Sequence, residues 1–369
     1  MNTSLRRTVV ATAAISMALG MAACGKAGSS SSSSSASASS SAGGSQVIGL
    51  LLPETTTTRY EQFDKPLIEA KIKALAPSAV VKYYNANGQA ATQAQQVTTA
   101  INQGAKVLII DAVDSAQIKS SVQAAKDKGI KVVAYDRLAS GPVSAYVSFD
   151  NEAVGKLQGQ GLLDALGSKA TPTAKIVEID GDSADPNAAD FKKGFTEAIA
   201  GKLTVGYDAS GLWKPDVAAQ KATAGIAAVG AKNIVGFYSA NDGMAVGIIS
   251  SMKTAGLEKL PIGGQDAQLD AVQRIIAGTQ AYTIYKAYAP EADAAGTLAV
   301  DLLNGTDISS VATATKTNAS GDSVPSQLLT PVLITKANVE STIVADKFYT
   351  VAQICTADFA AACTAAGIK

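Results

Sequence analysis

Short apolar runs alternate with stretches of helical spacing from residue 46 onward. The segments 47–52 and 107–110 are apolar at every position, which is typical of strands buried on both faces of a parallel sheet. The pattern predicts strands at 47–52, 79–84, 107–110, 130–135, 175–179, 204–207, 234–238, 260–262 and 282–285, and helices at 59–76, 90–101, 118–125, 188–200, 216–229, 242–255 and 268–277. Two such alternating series predict an α/β fold with two doubly wound lobes.

Polar and aromatic side chains follow the ends of these predicted strands. In open α/β sheets, ligands bind beyond the carboxyl ends of the strands, so we expect these side chains to meet in one cleft. The set comprises Arg59, Tyr60, Asp136, Arg137, Trp213, Asn241, Asp242, Gln265, Asp266 and Lys286.

The mixture of types in this set favours an uncharged polyol as ligand. Carboxylates accept hydrogen bonds from sugar hydroxyls, Arg and Lys donate to sugar oxygens, and aromatic rings cover the apolar face of a pyranose. Each member also has a structural interpretation: Asp136 and Arg137 as a local ion pair, Asn241 and Asp242 as helix caps (the role expected of Asp242), Lys286 as a solvated side chain and Trp213 as a packing residue. Their shared position at strand ends favours the ligand site.

Composition excludes several classes of protein. The 369 residues include 31 Lys and Arg, 31 Asp and Glu, three Cys and no His. The balanced charge gives no footprint for nucleic acid, the missing His removes nucleophilic triads and imidazole ligands, and three Cys cannot form a Cys-only zinc site. Asp180, Asp182 and Asp185 superficially suggest Ca²⁺, but Ala184 and Pro186 break the calcium-loop pattern. We therefore predict no catalytic residue, no cofactor and no metal.

The N-terminal segment has the pattern of an export signal. Arg6 and Arg7 precede an apolar stretch, 9–23, that is too short to span a bilayer. The stretch ends at Cys24 in a sequence similar to a bacterial lipobox, which implies cleavage after residue 23 and a lipid anchor on Cys24; the alternative is an ordinary signal with an incidental Cys. Residues 24–45, rich in Ser, Ala and Gly, are expected to form a flexible tether.

Two further cysteines lie near the C-terminus. In an exported chain, a disulfide between Cys355 and Cys363 is the leading interpretation, and two free thiols are the alternative.

Several longer motifs carry a family resemblance. Residues 129–137 read GIKVVAYDR, 148–151 SFDN, 263–267 GGQDA and 324–331 VPSQLLTP. With these motifs in this order, the chain from about 47 to 349 resembles the xylose-binding and multiple-sugar-binding proteins of bacterial ABC importers. The resemblance implies a type I periplasmic-binding fold, in which three crossings join two Rossmann-like lobes. The expected N-terminal lobe is 46–148 plus about 287–322, the C-terminal lobe is 149–286 plus about 323–350, and 351–369 form a tail.

The same resemblance implies a set of sugar-binding residues. The family's positions match Arg59, Asp136, Arg137, Asn241, Asp266 and Lys286, with Trp213 at an aromatic position. Tyr60 stands where the family has Trp. Asn187 matches the second residue of an Asn-Asn pair whose first is Pro186 here, so one of the amides that the family uses to bind sugar hydroxyls is missing.

The implied mechanism is hinge closure around a monosaccharide by a membrane-anchored monomer, followed by recognition of the closed form by an ABC permease. Xylose is the first choice of sugar, with glucose, galactose or arabinose behind it. A sensor component that presents the closed form to a receptor stays open as an alternative. An enzyme acting on glycosides through paired carboxylates lacks a recognised constellation. A transcriptional repressor of this fold would need a DNA-binding domain where this sequence predicts an export signal.

Overall fold

The structure, a computed structural model, describes residues 46–368, so the predicted signal peptide, Cys24 and the tether lie outside the described residues. Within that range no helix combines the length and the apolar character needed to cross a membrane. The strands are β1 (Val47–Leu52), β2 (Val80–Asn85), β3 (Ala105–Ile110), β4 (Lys131–Tyr135), β5 (Ala145–Phe149), β6 (Lys175–Asp180), β7 (Thr204–Ser210), β8 (Ile234–Ser239), β9 (Thr283–Tyr285), β10 (Ala314–Thr317), β11 (Ser323–Leu329) and β12 (Val332–Ile334).

The α-helices are α1 (Lys65–Leu75), α2 (Ala90–Asn102), α3 (Lys119–Asp127), α4 (Asn151–Leu166), α5 (Pro186–Ile199), α6 (Pro215–Val229), α7 (Asp242–Thr254), α8 (Leu269–Ala277), α9 (Tyr288–Asn304), α10 (Val351–Ile354) and α11 (Ala360–Ala366). The predicted helix 59–76 begins instead with a π-helical turn, Tyr60–Asp64, which leads directly into α1.

The first lobe is built on a seven-stranded sheet with the order β10-β11-β5-β4-β3-β1-β2. All neighbouring strands are parallel except β10, which runs antiparallel to β11. Every residue of β1 is buried, because α1 and α9 cover one face of the sheet and α2 and α3 cover the other. The all-apolar runs of the sequence are therefore the central strands of this sheet.

The second lobe has a parallel sheet in the order β7-β6-β8 and a separate antiparallel pair, β9 and β12. Lys192 of α5 contacts Glu178 of β6, and Gly225 of α6 lies against Val177. Because successive strand residues point to opposite faces, α5 and α6 cover opposite faces of this sheet. The predicted strand 260–262 is wrong: Ile262 forms only a single bridge with Phe237.

Two glycines let α4 and α5 cross at close range. A Cβ on Gly155 would lie 2.0 Å from the carbonyl oxygen of Phe191, and one on Gly194 would lie 2.0 Å from that of Glu152. Only a residue without a side chain fits at such an approach. This contact sets the position of α5, whose first turn carries Asn187.

Three segments connect the lobes, and one of them differs from the prediction. The chain crosses between β5 and α4, again between β9 and α9, and finally between β11 and β12. The last crossing was expected near residue 322, but it falls after Leu329, because β11 pairs in parallel with β5 over Ser326–Leu329. Residues 323–329 thus belong to the first lobe and not to the second.

The C-terminal segment packs on α8. Cys355 and Cys363 form a disulfide with their Cα atoms 5.8 Å apart. Ile354, Cys363 and Ile368 are buried in a cluster with Val272 and other apolar residues of α8.

Candidate functional site

All nine residues predicted to bind sugar line one cavity between the lobes. Its free volume is about 20 Å³, close to what one water molecule needs, so the side chains of the two lobes enclose the cleft tightly. The predicted lining residues are Arg59, Tyr60, Asp136 and Arg137 of the first lobe, Asn187, Trp213, Asn241 and Asp266 of the second, and Lys286 at the second crossing; Thr57, Asp185, Phe191 and Gln265 also line it.

Three buried carboxylates hold Arg59 rigidly, and one of them, Asp136, also lines the cavity. Its Nε donates to Asp64 at 2.8 Å, one Nη donates to Glu291 at 2.6 Å, and the other Nη donates to Asp136 at 3.2 Å. Burial alone would lower the pKa of Arg59, but these carboxylates, Asp64 foremost, outweigh it and raise the pKa well above the usual value. The guanidinium is therefore a permanent cation whose orientation is fixed before a ligand arrives.

Asp136 and Arg137 follow β4 at the floor of the cavity. Arg137 donates to the Ala112 carbonyl at 3.0 Å and to the Tyr60 hydroxyl at 3.1 Å. Burial alone would raise the pKa of Asp136, but Arg59, Lys286 and Arg137 outweigh it and lower the pKa below the usual value. The two adjacent residues do not form the local ion pair considered above: Asp136 pairs with Arg59, whereas Arg137 pairs with Asp111 and Asp185, all of them buried.

Contacts that cross between the lobes hold the cleft closed. Asp185, the N-cap of α5, contacts Arg137. Burial raises the pKa of Asp185 to about 6, although the positive charge of Arg137 acts in the opposite direction. The cross-lobe contacts include Ser115 N to Ala184 O (3.0 Å), Arg137 Nε to Asp185 Oδ2 (3.0 Å), Asn187 Nδ2 to Asp136 O (3.0 Å) and Lys316 Nζ to Asp190 Oδ2 (3.3 Å).

The helix cap at α7 differs from the expectation. The side chain of Asn241, not that of Asp242, caps the helix by accepting from Met244 N at 2.8 Å. Asp242 is the first helical residue, and its carboxylate accepts instead from Thr283 and Gln280, both at 2.7 Å. Because the cap uses the oxygen of Asn241, its amide nitrogen is left to face the cavity.

Asp266 and Lys286 form a buried ion pair at the second crossing, with Oδ1 and Nζ 2.7 Å apart. The backbone of Asp266 has φ +94°, and those of Asp136 and Trp213 have φ +54° and +57°. Left-handed backbone is uncommon outside Gly and gathers at ligand clamps, where the surrounding structure supports the strain. Three of the nine predicted residues therefore carry a backbone signal that is independent of their chemistry.

Aromatic rings form one wall of the cavity. Trp213 packs edge-on against Phe191, with ring centroids 6.3 Å apart, and a Cβ on Gly181 would lie 2.1 Å from the indole ring. The indole Nε1 and the Oε1 of Gln265 are buried and have no hydrogen-bond partner within residues 46–368. Unsatisfied buried groups are costly, so these two atoms indicate places where a polar ligand would bond.

Some lining residues were missed by sequence reasoning. Gln265 was noted at the strand end but not chosen, although it adjoins Asp266. Asp185 was considered only within the calcium-loop pattern, but it caps α5 and also contacts Arg137 of the first lobe. Phe191 lies within the predicted helix 188–200 and was not chosen, and its position one turn after Asn187 on α5 is the signal that would have found it.

A separate cluster of carboxylates lies under α5. Oxygens of Glu178, Asp180 and Asp208 come within 4.8 Å of one another, as metal ligands would. The ammonium of Lys192 stands among them, 2.6 Å from Asp180 and 3.6 Å from Glu178. Burial, with Asp180 nearby, raises the pKa of Glu178 to about 8. Lys192 therefore supplies the positive charge beside these carboxylates.

The fold and the closed inter-lobe cavity define a two-lobed solute-binding protein. Comparison with known sequences agrees, because the periplasmic binding protein domain matches residues 48–307. The chain is 34% identical over 310 residues to the D-xylose-binding periplasmic protein of Escherichia coli, covering 82% of this chain and 90% of the relative. It is 31% identical to a multiple sugar-binding periplasmic protein of Azospirillum brasilense, covering 83% and 90%.

Among solved structures, an ABC transporter solute binding protein of Clostridium phytofermentans with bound β-D-glucose is similar, with a TM-score of 0.76 and 26% identity over 84% of this chain and all of the other. This chain belongs to the family of periplasmic binding proteins.

Proposed function

We propose that this protein captures a monosaccharide between its lobes and delivers it to an ABC permease. The observation that carries the proposal is the balance of charge in the lining of the cavity, which includes three cations (Arg59, Arg137 and Lys286) and three carboxylates (Asp136, Asp185 and Asp266). An ionic ligand would add an unpaired charge to a lining that already contains equal numbers of cations and carboxylates, and such a charge is costly when buried. A neutral polyol offers donors and acceptors to both signs.

Each residue has a role that its contacts support. Arg59, Arg137 and Lys286 donate to ring and hydroxyl oxygens, and Asp136 and Asp266 accept from hydroxyls. Asn187 keeps its amide oxygen as an acceptor, since its nitrogen already donates to Asp136. Asn241 supplies an amide nitrogen, and the rings of Trp213 and Tyr60 cover the apolar face of the sugar.

Binding couples to hinge closure. The enclosed space is too small for a sugar to enter, so the lobes must part along the three crossings first. A sugar that contacts both lobes then shifts the population toward the closed form by its differential affinity for that form. The permease recognises the closed form, and no covalent step is required.

The site works at a membrane surface. A lipid on Cys24 anchors the mature protein on the extracytoplasmic face, and the Ser/Ala/Gly tether gives it a reach of about 20–25 Å. The carbohydrates named for the relatives support a sugar ligand, and D-xylose is the first choice.

Calorimetric titration with D-xylose, D-glucose, D-galactose and L-arabinose tests the proposal. D-gluconate and D-glucosamine serve as charged controls of similar size. We expect at least one neutral sugar to bind and both charged analogues to bind about 100-fold more weakly or not at all, since an uncompensated buried charge costs several kcal/mol. Absence of binding to every neutral sugar, or a preference for a charged analogue, would contradict the proposal.

A further inference from the structure

Tyr288 contacts a sugar-site residue of each lobe. It is the first residue of α9, directly after the second crossing, and is 1% exposed. Its hydroxyl donates to the backbone carbonyl of Asp266 at 3.0 Å, and the guanidinium carbon of Arg59 lies 4.2 Å from its ring centroid. One side chain therefore touches the second lobe through its hydroxyl and the first lobe through its ring.

The contact with Asp266 lies where the backbone needs support. At φ +94°, the backbone of Asp266 is in a conformation that side chains other than Gly rarely adopt. Its amide nitrogen donates to Ile284 O at 2.9 Å, and its carbonyl accepts from Tyr288. These two bonds hold the peptide groups on either side of the strained residue and so direct its carboxylate into the cavity.

An aromatic cluster fixes the ring of Tyr288. Phe63, from the π-helical turn of the first lobe, stacks on Phe348 with centroids 4.6 Å apart and an interplanar angle of 6°. Both rings contact Tyr288, at 5.5 and 5.4 Å, and Phe348 also contacts Tyr285 at 4.9 Å. The cluster thus joins the first lobe, the second crossing and the C-terminal segment.

The C-terminal segment that carries Phe348 is itself tied to α8. Gln273 donates to the carbonyls of Gln353 and Ile354, both at 3.2 Å, and the disulfide closes the end of the segment. Because α8 begins three residues after Asp266, the C-terminal segment supports Asp266 in two ways: through its contacts with α8, and through the contact of Phe348 with Tyr288.

We propose that Tyr288 is a positioning residue that sets Arg59 and Asp266 in register across the hinge, with Phe348 holding its ring in place. This inference rests on the proposed function, because the geometry it sets is that of the sugar site. Tyr288 does not line the cavity, so it acts on the ligand only through these two residues.

The test compares Tyr288→Phe with Tyr285→Phe. Each variant removes one hydroxyl from the same aromatic cluster, but Tyr285 has no hydrogen bond to Asp266 and no cation–π contact with Arg59 among the described residues. For the neutral sugar that binds the wild-type protein, we expect Tyr288→Phe to weaken affinity about 3- to 10-fold and to accelerate dissociation by a similar factor in stopped-flow measurements. Tyr285→Phe should leave both values within about twofold, whatever its effect on the melting temperature. Phe348→Leu should also accelerate dissociation.

Equal affinity losses in the two tyrosine variants would indicate general destabilisation and overturn the inference. Wild-type dissociation kinetics in Tyr288→Phe would also overturn it. If the wild-type protein bound none of the neutral sugars, the proposed function would fail and this inference with it, which is distinguishable from the other two outcomes.

Discussion

The ion pair between Asp266 and Lys286 allows a sharp test of the site. Asp266→Asn keeps the shape of the side chain and removes its charge. Asn is a better choice than Ala, because Asn tolerates a positive φ and the backbone here has φ +94°. The substitution leaves the ammonium of Lys286, which is 4% exposed, without the carboxylate that lies 2.7 Å away.

The size of the effect follows from the lost charge. A hydrogen bond to a charged group contributes about 1.5–3 kcal/mol, and each 1.4 kcal/mol is about tenfold in Kd. We therefore expect the Kd of the sugar to rise about 10- to 100-fold. Breaking a buried ion pair lowers the free energy of unfolding by up to about 3–5 kcal/mol, although Asp136 remains close enough to Lys286 to offset part of that loss.

Calorimetry on the variant, with a thermal melt to verify folding, makes the measurement. Asp270→Asn is the matched control, because Asp270 lies four residues further on, in the first turn of α8, with its side chain half exposed and paired with Arg274. That change should leave Kd unaltered, since a surface pair is worth little. A folded Asp266→Asn protein that bound sugar within twofold of the wild type would refute the assigned role of this carboxylate.

Further predictions concern other parts of the molecule. Trp213 is the only Trp of the chain, so sugar titration should change its emission, and Trp213→Ala should weaken binding about tenfold; unchanged emission at saturation would argue against the aromatic wall. The pKa of Asp185, raised to about 6 from 3.8, means that its contribution to stability is present below about pH 4 and is lost as the pH rises through 6. Denaturant melts of Asp185→Asn should show a shallower fall in stability between pH 4 and 7 than the wild type, and parallel curves would contradict this. Cys363→Ser should lower stability by about 2–3 kcal/mol without reductant and match the wild type with reductant.

Much of the site could be predicted because parallel strands end at one edge. Asp136 follows β4, Asn241 follows β8, and Arg59 lies seven residues beyond the end of β1, in the loop that leads to α1. Once the apolar runs are recognised as strands of parallel sheets, these positions must approach one cleft. The family resemblance added Asn187 and the hinge, and the cavity of the structure contains every member of the predicted set.

Other features could not be predicted, since they depend on contacts between remote segments. The strand β11 belongs to the first lobe because it pairs with β5, about 180 residues earlier in the chain, and nothing local in its sequence records that partner. Asn241 and Asp242 are both residue types that cap helices well. Only the tertiary structure brings Thr283 and Gln280 to Asp242, whose carboxylate accepts their hydrogen bonds instead of capping α7.

The sequence by itself determined the α/β class, the two lobes and the chemistry of the cleft, because hydrophobic periodicity and strand-end side chains are local properties. The tertiary structure decided how those side chains are held: which carboxylates orient Arg59, which lobe contains β11, and how Tyr288 connects the two lobes. These features arise from side-chain packing and strand pairing between segments that are far apart in the sequence. The free energy of folding at such contacts depends on the whole fold and not on any one segment.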